Sequence, residues 1–266
     1  MNRVTSKDGT IITYDVVGAG PTLILVGGAM SYRLFPGFVK LANLLAGDFR
    51  VVNYDRRGRG DSGDTAPYTV QREVEDLEAV IAANGETAFV WGMSSGAALA
   101  VTAAASGAAI DKLALYEPPY MVLPGGRRPP TDHQEQLQRL ANAGRSGEAV
   151  SFFLKRCMGA PAVVVALMHA LPFWPRLKAV AHTLPYDAAV MGDYGLPKEA
   201  LQAVDVPTLV IGGEKSDPRL RLAVDAVAAT LPQGQLRVLN GQRHNVSMDV
   251  LAPVLREFFA AGIVAR

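Results

Sequence analysis

Six stretches limit what this chain can fold into: PTLILVGG (21–28), FRVVNYD (49–55), TAFVWG (87–92), KLALYE (112–117), VPTLVIGG (206–213) and QLRVLNG (235–241). Each reads as a continuous apolar run of strand length, bounded by glycine, proline or a charge. Runs without alternation suggest strands buried on both faces, as in a parallel sheet covered by helices. Helix candidates lie between them at 36–46, 70–83, 95–106, 220–230 and 250–261. In the second, Val70, Val74, Leu77, Val80 and Ile81 recur at helical spacing, with Glu73, Glu75, Asp76 and Glu78 mostly on the other face. Strands alternating with helices build βαβ units. Two earlier strand candidates, 3–6 and 11–17, are joined by KDG, a hairpin turn signal. The expected class is α/β, with a mostly parallel central sheet flanked by helices.

The rhythm breaks between residues 120 and 204. Prolines bound this segment (EPPYMVLPGGRRPP on entry, VDVP on exit), and it holds helix-like pieces without a convincing buried strand. It reads as an inserted helical cap, leaving residues 1–119 and 205–266 as the core. Phe152, Phe153, Leu154, residues 163–168, Phe173 and Trp174 are more apolar than a thin surface helix needs. Most are expected to pack the cap onto the sheet, with a subset lining an apolar pocket beneath it. Met121, Met158, Met168 and Met191 suit an adaptable pocket or plain core. Arg127, Arg128 and Arg176 are candidates to meet an acidic group on a substrate, and as single charges are expected on solvated surface.

Charge and cysteine content exclude other classes. Lys plus Arg (26) nearly balances Asp plus Glu (25), so nothing suggests a phosphate backbone as partner. The short basic pieces YDRRGRG (54–60) and GGRRPP (125–130) read as solvated loops. Cys157 is the one cysteine, and neither CxxC nor HExxH occurs, so neither an internal disulfide nor a zinc site is expected. The most apolar piece, PAVVVALMHAL (161–171), falls short of the roughly 20 residues of a membrane helix. The expectation is a cytoplasmic protein that works on a small molecule, away from nucleic acid and membrane.

GMSSG (92–96) matches Gly-x-Ser-x-Gly where a strand ends and a helix begins, which puts Ser94 on a tight, strained turn above the sheet edge. A serine is a weak nucleophile until a base takes its proton. Of four histidines, His133, His169 and His182 fall in the cap, while His244 follows the last strand and precedes the last helix. For the acid, Asp217 ranks first, in the loop after the penultimate strand; Glu117, at the end of the strand before the cap, ranks second. Glu214 competes within the same loop as Asp217, and Asp205 reads as a connection on the opposite edge. The order Ser94, Asp217, His244 suits a catalytic triad. Charge on a carbonyl oxygen also needs donors. The backbone N–H of Ser95 is one, and Ala29 or Met30 in LVGGAMSY is the expected second.

With these motifs in place, the chain resembles the α/β-hydrolase superfamily over nearly its whole length. NYDRRGRGDSG (53–63) is similar to the Asp-x-Arg-Gly-x-Gly-x-Ser loop of that superfamily, through Asp55, Arg57, Gly58, Gly60 and Ser62, which are read as structural. Within it the run is similar to that of small bacterial esterases and cofactor-free haloperoxidases (perhydrolases). The resemblance implies Ser94 as nucleophile, His244 as general base and acid, Asp217 as its orienter, Ser95 and Ala29 as amide donors, and no metal or organic cofactor. Where many relatives have His-Gly after the first long strand, this chain has Gly27-Gly28. A backbone oxyanion hole survives that change, but a looser loop would weaken catalysis or suit a reaction without a full tetrahedral intermediate. The expected activity is hydrolysis of a carboxylic ester, thioester or lactone of a small to medium apolar substrate through an acyl-enzyme. The alternatives are cofactor-free non-hydrolytic or carbon–carbon bond chemistry on the same fold, and a ligand-binding protein without catalysis.

Overall fold

The computed structural model describes residues 1–123, 125, 126 and 128–261. Eight strands form one sheet: β1 (Asn2–Thr5), β2 (Ile11–Val17), β3 (Thr22–Val26), β4 (Arg50–Tyr54), β5 (Ala88–Met93), β6 (Ile110–Tyr116), β7 (Thr208–Gly213) and β8 (Gly234–Leu239). Their order is β1-β2-β4-β3-β5-β6-β7-β8. The β1–β2 and β2–β4 pairs are antiparallel, and every later pair is parallel. Every residue of β3 and β7 is buried, as a strand covered on both faces requires. Successive side chains enter opposite layers: Ile24 and Val26 join one core, Leu23 and Leu25 the other. The α/β class with a mostly parallel sheet is therefore the one observed.

The strand β8 departs from the expected double burial. It lies at the sheet edge with Leu236 and Val238 about half exposed. Gln235, Leu236, Arg237 and Val238 are all exposed, so both faces of this edge strand meet solvent along its middle, which the alternation of polar and apolar residues does not foretell.

On one face of the sheet, α1 (Pro36–Leu45) and the last helix, Met248–Ala260, bury Leu41, Leu45, Leu251, Leu255 and Phe259. On the other, α2 (Val70–Asn84) and α3 (Ser95–Ala105) bury Val74, Leu77, Val80, Ile81 and Leu99. Thr69 caps α2 by accepting a hydrogen bond from the Arg72 N–H at 3.3 Å. Between β6 and β7 run α4 (His133–Asn142), α5 (Ser146–Phe152), a π-helical turn (Phe153–Cys157), α6 (Ala162–Met168), α7 (Trp174–Ala179), a 3₁₀ turn (Ala181–Thr183), α8 (Leu184–Met191) and α9 (Lys198–Gln202). Then α10 (Pro218–Thr230) follows β7, and α11 is the Met248–Ala260 helix. The inserted helices bury Phe153, Leu154, Val165 and Trp174, whereas Val163, Val164 and Leu167 stand exposed on α6. None of the described helices is long and apolar enough to cross a membrane.

Two sequence expectations fail together, for one reason. Glu73, Glu75 and Asp76 are buried, not on a solvated face of α2, and Arg56, Arg57 and Arg59 of the basic loop are buried as well. The opposite charges meet: Arg57 forks onto Asp76 with Nε and Nη2 both at 2.7 Å, and Arg56 forks onto Glu73 with both contacts at 2.6 Å. A sequence scan treats each charge alone, whereas a buried pair satisfies both partners. The rest of the loop is tied down as well: Asp55 accepts the Arg33 and Asp61 N–H groups, and Ser62 Oγ donates to the Asp55 carbonyl at 2.7 Å. Replacing Arg57 by methionine keeps the stem but strands the Asp76 carboxylate. Urea titration is expected to show a loss of about 3–5 kcal/mol in unfolding free energy, and a loss below about 1 kcal/mol would contradict the pairing.

Candidate active site

The site grows from the carboxyl ends of β5, β6 and β7. β5 stops at Met93 and α3 starts at Ser95, with Ser94 between them at φ 56° and ψ −127°. L-residues seldom adopt that conformation, so something must hold it. The Ser94 N–H donates to the Tyr116 carbonyl at 2.9 Å, locking the turn to β6. The flanking glycines supply clearance: a Cβ on Gly92 would lie 2.7 Å from the Ala97 Cα, and one on Gly96 only 2.4 Å from the Val26 carbonyl oxygen. Strain therefore sits on the serine itself, and the small residues let β3, β5 and α3 pass close enough to impose it.

One residue beyond β6, Glu117 adopts φ 45° and is fully buried. Its Oε1 accepts the Gly213 N–H at 2.7 Å, and its Oε2 lies 2.7 Å from Nδ1 of His244. A carboxylate only accepts, so Nδ1 carries the proton and Nε2 is the basic nitrogen of the neutral ring. Tyr116 steadies the histidine loop by donating its hydroxyl to the Arg243 carbonyl at 2.7 Å. His244 itself is partly exposed, with 30% of its side-chain surface accessible.

Asp217, expected as the partner of this histidine, is engaged elsewhere. It caps α10, accepting the Arg219 N–H at 2.8 Å, and its carboxylate pairs with the Arg219 guanidinium at 2.7 and 2.9 Å. That side-chain hydrogen bonding from Arg219 holds its carboxyl below the usual value. The second-ranked acid, Glu117, takes the place beside the histidine. The reason is the sheet order: β6 lies next to β5, so a residue ending β6 stands beside Ser94 and faces the loop arriving from β8. Glu214 instead accepts the Gly241 N–H at 2.7 Å, and Asp205 is exposed at the far end of the sheet. His133 bonds the Pro130 carbonyl through Nδ1 at 2.8 Å, His169 contacts Ser151 and Trp174, and His182 is exposed on its 3₁₀ turn, all within the insert.

The loop after β3 also reaches this edge. A Cβ on Gly28 would stand 3.0 Å from the Ser94 Cβ and 2.8 Å from the Met93 carbonyl oxygen, so the loop rests against the serine. Ala29 follows half-buried, and Met30 takes φ 60°. Ser95 is buried at the start of α3. The loop is not loosened by its Gly-Gly pair. The Gly27 carbonyl accepts from Arg56 at 3.1 Å, and the Gly28 carbonyl accepts from Arg59 at 2.7 Å and from Ser31 Oγ at 2.6 Å. Among the arginines expected near a substrate, Arg128 pairs with Asp193 at 3.0 Å on the surface and Arg176 is exposed, while Arg127 lies outside the described residues.

Comparison with known proteins identifies the fold and the family. Residues 23–256 match the model of the family described as "Alpha/beta hydrolase family". An alpha/beta hydrolase from Sphaerobacter thermophilus is 49% identical in sequence, with a TM-score of 0.90 over 97% of this chain and 100% of that one. The esterase RhEst1 from a Rhodococcus species shares the fold at 22% identity, with a TM-score of 0.71 over 98% of both chains. The uncharacterized hydrolase YraK of Bacillus subtilis is 35% identical over 104 residues, a match that spans 37% of this chain and 37% of that protein.

The Glu117 contact has its own spectroscopic signature. Proton NMR of the native protein is expected to show a strongly downfield imidazole N–H resonance that is lost in Glu117→Gln and kept in Asp217→Asn. The reverse pattern would restore Asp217 to the histidine.

Proposed function

This chain belongs to the alpha/beta hydrolase family, and we propose that within it the protein is a serine hydrolase acting on a carboxylic ester of a small to medium apolar substrate. The observation that carries the reading is the 2.7 Å contact between His244 Nδ1 and the buried Glu117, at the strand ends where Ser94 stands on its strained turn.

Ser94 Oγ attacks the acyl carbonyl carbon while His244 Nε2 takes its proton, and the carbonyl electron pair moves onto the oxygen. The Ser95 and Ala29 N–H groups stabilise that oxyanion, each such donor being worth about 10²- to 10³-fold in rate. The Glu117 carboxylate, fixed on its other oxygen by Gly213, orients the ring and balances the imidazolium. Collapse expels the alcohol, which takes the proton from His244 and leaves an acyl group on Ser94. Water then attacks the acyl carbon as Nε2 takes its proton, and collapse releases the carboxylic acid and returns the proton to Ser94 Oγ. Thioesters and lactones pass through the same steps. The Rhodococcus neighbour named as an esterase is consistent with ester chemistry on this fold, although fold alone does not fix a reaction.

Hydrolysis of p-nitrophenyl esters of graded acyl length is the test. Native protein is expected to turn over the shorter members, Ser94→Ala to be silent, Glu117→Gln to lose roughly 10²- to 10⁴-fold in kcat, and Asp217→Asn to stay within about threefold, as expected for a surface cap away from the chemistry. Activity that survives in Ser94→Ala would reject the mechanism, and a native protein inert to esters and to a fluorophosphonate would reject the serine-hydrolase reading.

A further inference from the structure

Beneath the nucleophile turn lies a group of buried charges that the reaction steps do not use. Asp187, on α8 of the inserted segment, is fully buried. Its Oδ1 accepts from Ser95 Oγ at 2.8 Å and from Arg56 Nη1 at 2.9 Å, and its Oδ2 accepts from Arg59 Nη2 at 2.8 Å. The same two guanidinium groups reach past it to the loop after β3, where Arg56 Nη1 binds the Gly27 carbonyl and Arg59 Nη1 the Gly28 carbonyl. One carboxylate is thus joined to both strips of backbone that carry the proposed oxyanion donors. It touches the Ser95 side chain directly and the Gly27-Gly28 peptides through one arginine each.

Peptide geometry turns this into an orientation device. In a trans peptide the C=O of one residue and the N–H of the next point in opposite directions. Holding the Gly28 oxygen on Arg59 aims the Ala29 N–H away from the arginines, and holding the Gly27 oxygen on Arg56 does the same for the Gly28 N–H. Arg56 is itself immobilised by its fork onto Glu73, which also accepts the Tyr68 hydroxyl at 2.8 Å. Among the described residues Arg59 hydrogen-bonds no second carboxylate, and Asp187 sets its position. Burial pushes the Asp187 carboxyl up, but the Arg59 and Arg56 charges pull it down further, so it remains ionised at neutral pH.

We propose that Asp187 is a positioning residue for the oxyanion hole, supplied by the inserted helical segment, which aligns the Ser95 and Ala29 N–H donors through Ser95 Oγ and Arg59. The proposal rests on the reading of Ser94 and its amide donors given above. It assigns the insert a part in the chemical step, independent of any contact with substrate.

Three variants test it: Asp187→Asn, Ser95→Ala, which removes only the hydroxyl and keeps the N–H, and Arg59→Lys, whose single ammonium cannot span Asp187 and the Gly28 carbonyl as a guanidinium does. The active fraction of each is first counted by fluorophosphonate titration to completion, and p-nitrophenyl ester kinetics are then expressed per titrated site. Misaligned donors are expected to lower kcat per site by about 10- to 100-fold, with KM changed less than about threefold. A trifluoromethyl ketone, which forms an oxyanion on Ser94, is expected to bind more weakly by a similar factor. Ser95→Ala and Arg59→Lys keep the proposal testable if Asp187→Asn does not fold. A merely structural role would lower the titrated fraction or the melting temperature and leave kcat per site and ketone affinity unchanged; that result, with an active native enzyme, overturns this inference alone. A native protein that neither labels nor turns over esters overturns the reading of the site, and this inference falls with it.

Discussion

A guanidinium or carboxylate taken out of water costs several kcal/mol unless a partner of opposite charge and the right shape meets it. That constraint shapes the centre of this molecule. Arg56, Arg59, Glu73 and Asp187 are all buried and come from three separate parts of the chain: the loop after β4, the helix α2 and the inserted helix α8. Each of the three supplies a buried charge that pairs with a charge from another. Burial alone would raise the carboxyls of Glu73 and Asp187, yet both end below their ordinary values because the arginines outweigh it. The network therefore holds its charge at neutral pH. Both carboxylates would release it only as the pH falls below the ordinary carboxylate range.

The strained serine depends on the same scaffold. A residue at φ 56° and ψ −127° is held by the Tyr116 hydrogen bond on one side and by the contact of Gly96 with the β3 backbone on the other. Strain of this kind persists only where the surroundings over-determine it. Here they do so by close backbone packing at the turn and by the buried charges beneath it, where Ser95, the next residue, is tied to Asp187. The histidine side is organised in the same manner, with Glu117 bridging β7 and the loop after β8 through one oxygen each.

Much of this was legible in the sequence. The apolar runs marked the parallel strands, the Gly-x-Ser-x-Gly turn marked Ser94, and the position of His244 after the last strand separated it from three histidines in the insert. Position along the chain misplaces a residue whose role depends on its neighbours in space. Asp217 had the expected chain order, but an aspartate directly before a proline that opens a helix also makes a good cap, and capping is what it does. Glu117 carried a signal of its own, an acid at the very end of a buried strand. What gives that signal its weight is that β6 lies beside β5. The Arg-Arg-Gly-Arg loop reads as solvated from sequence because its carboxylate partners are 17 to 131 residues away.

The sequence by itself determined the class of fold, the turn that presents Ser94 and the histidine that follows the last strand, because hydrophobic periodicity and glycine placement act over a few residues and can be read locally. The tertiary structure alone decided which carboxylate meets the histidine, that the charges of the basic loop and of α2 are buried as pairs, and that a carboxylate from the helices between β6 and β7 is joined to the Ser94 turn. Those outcomes depend on which strand ends are neighbours and on how deeply each charge is withdrawn from water, and both follow from packing across the whole chain.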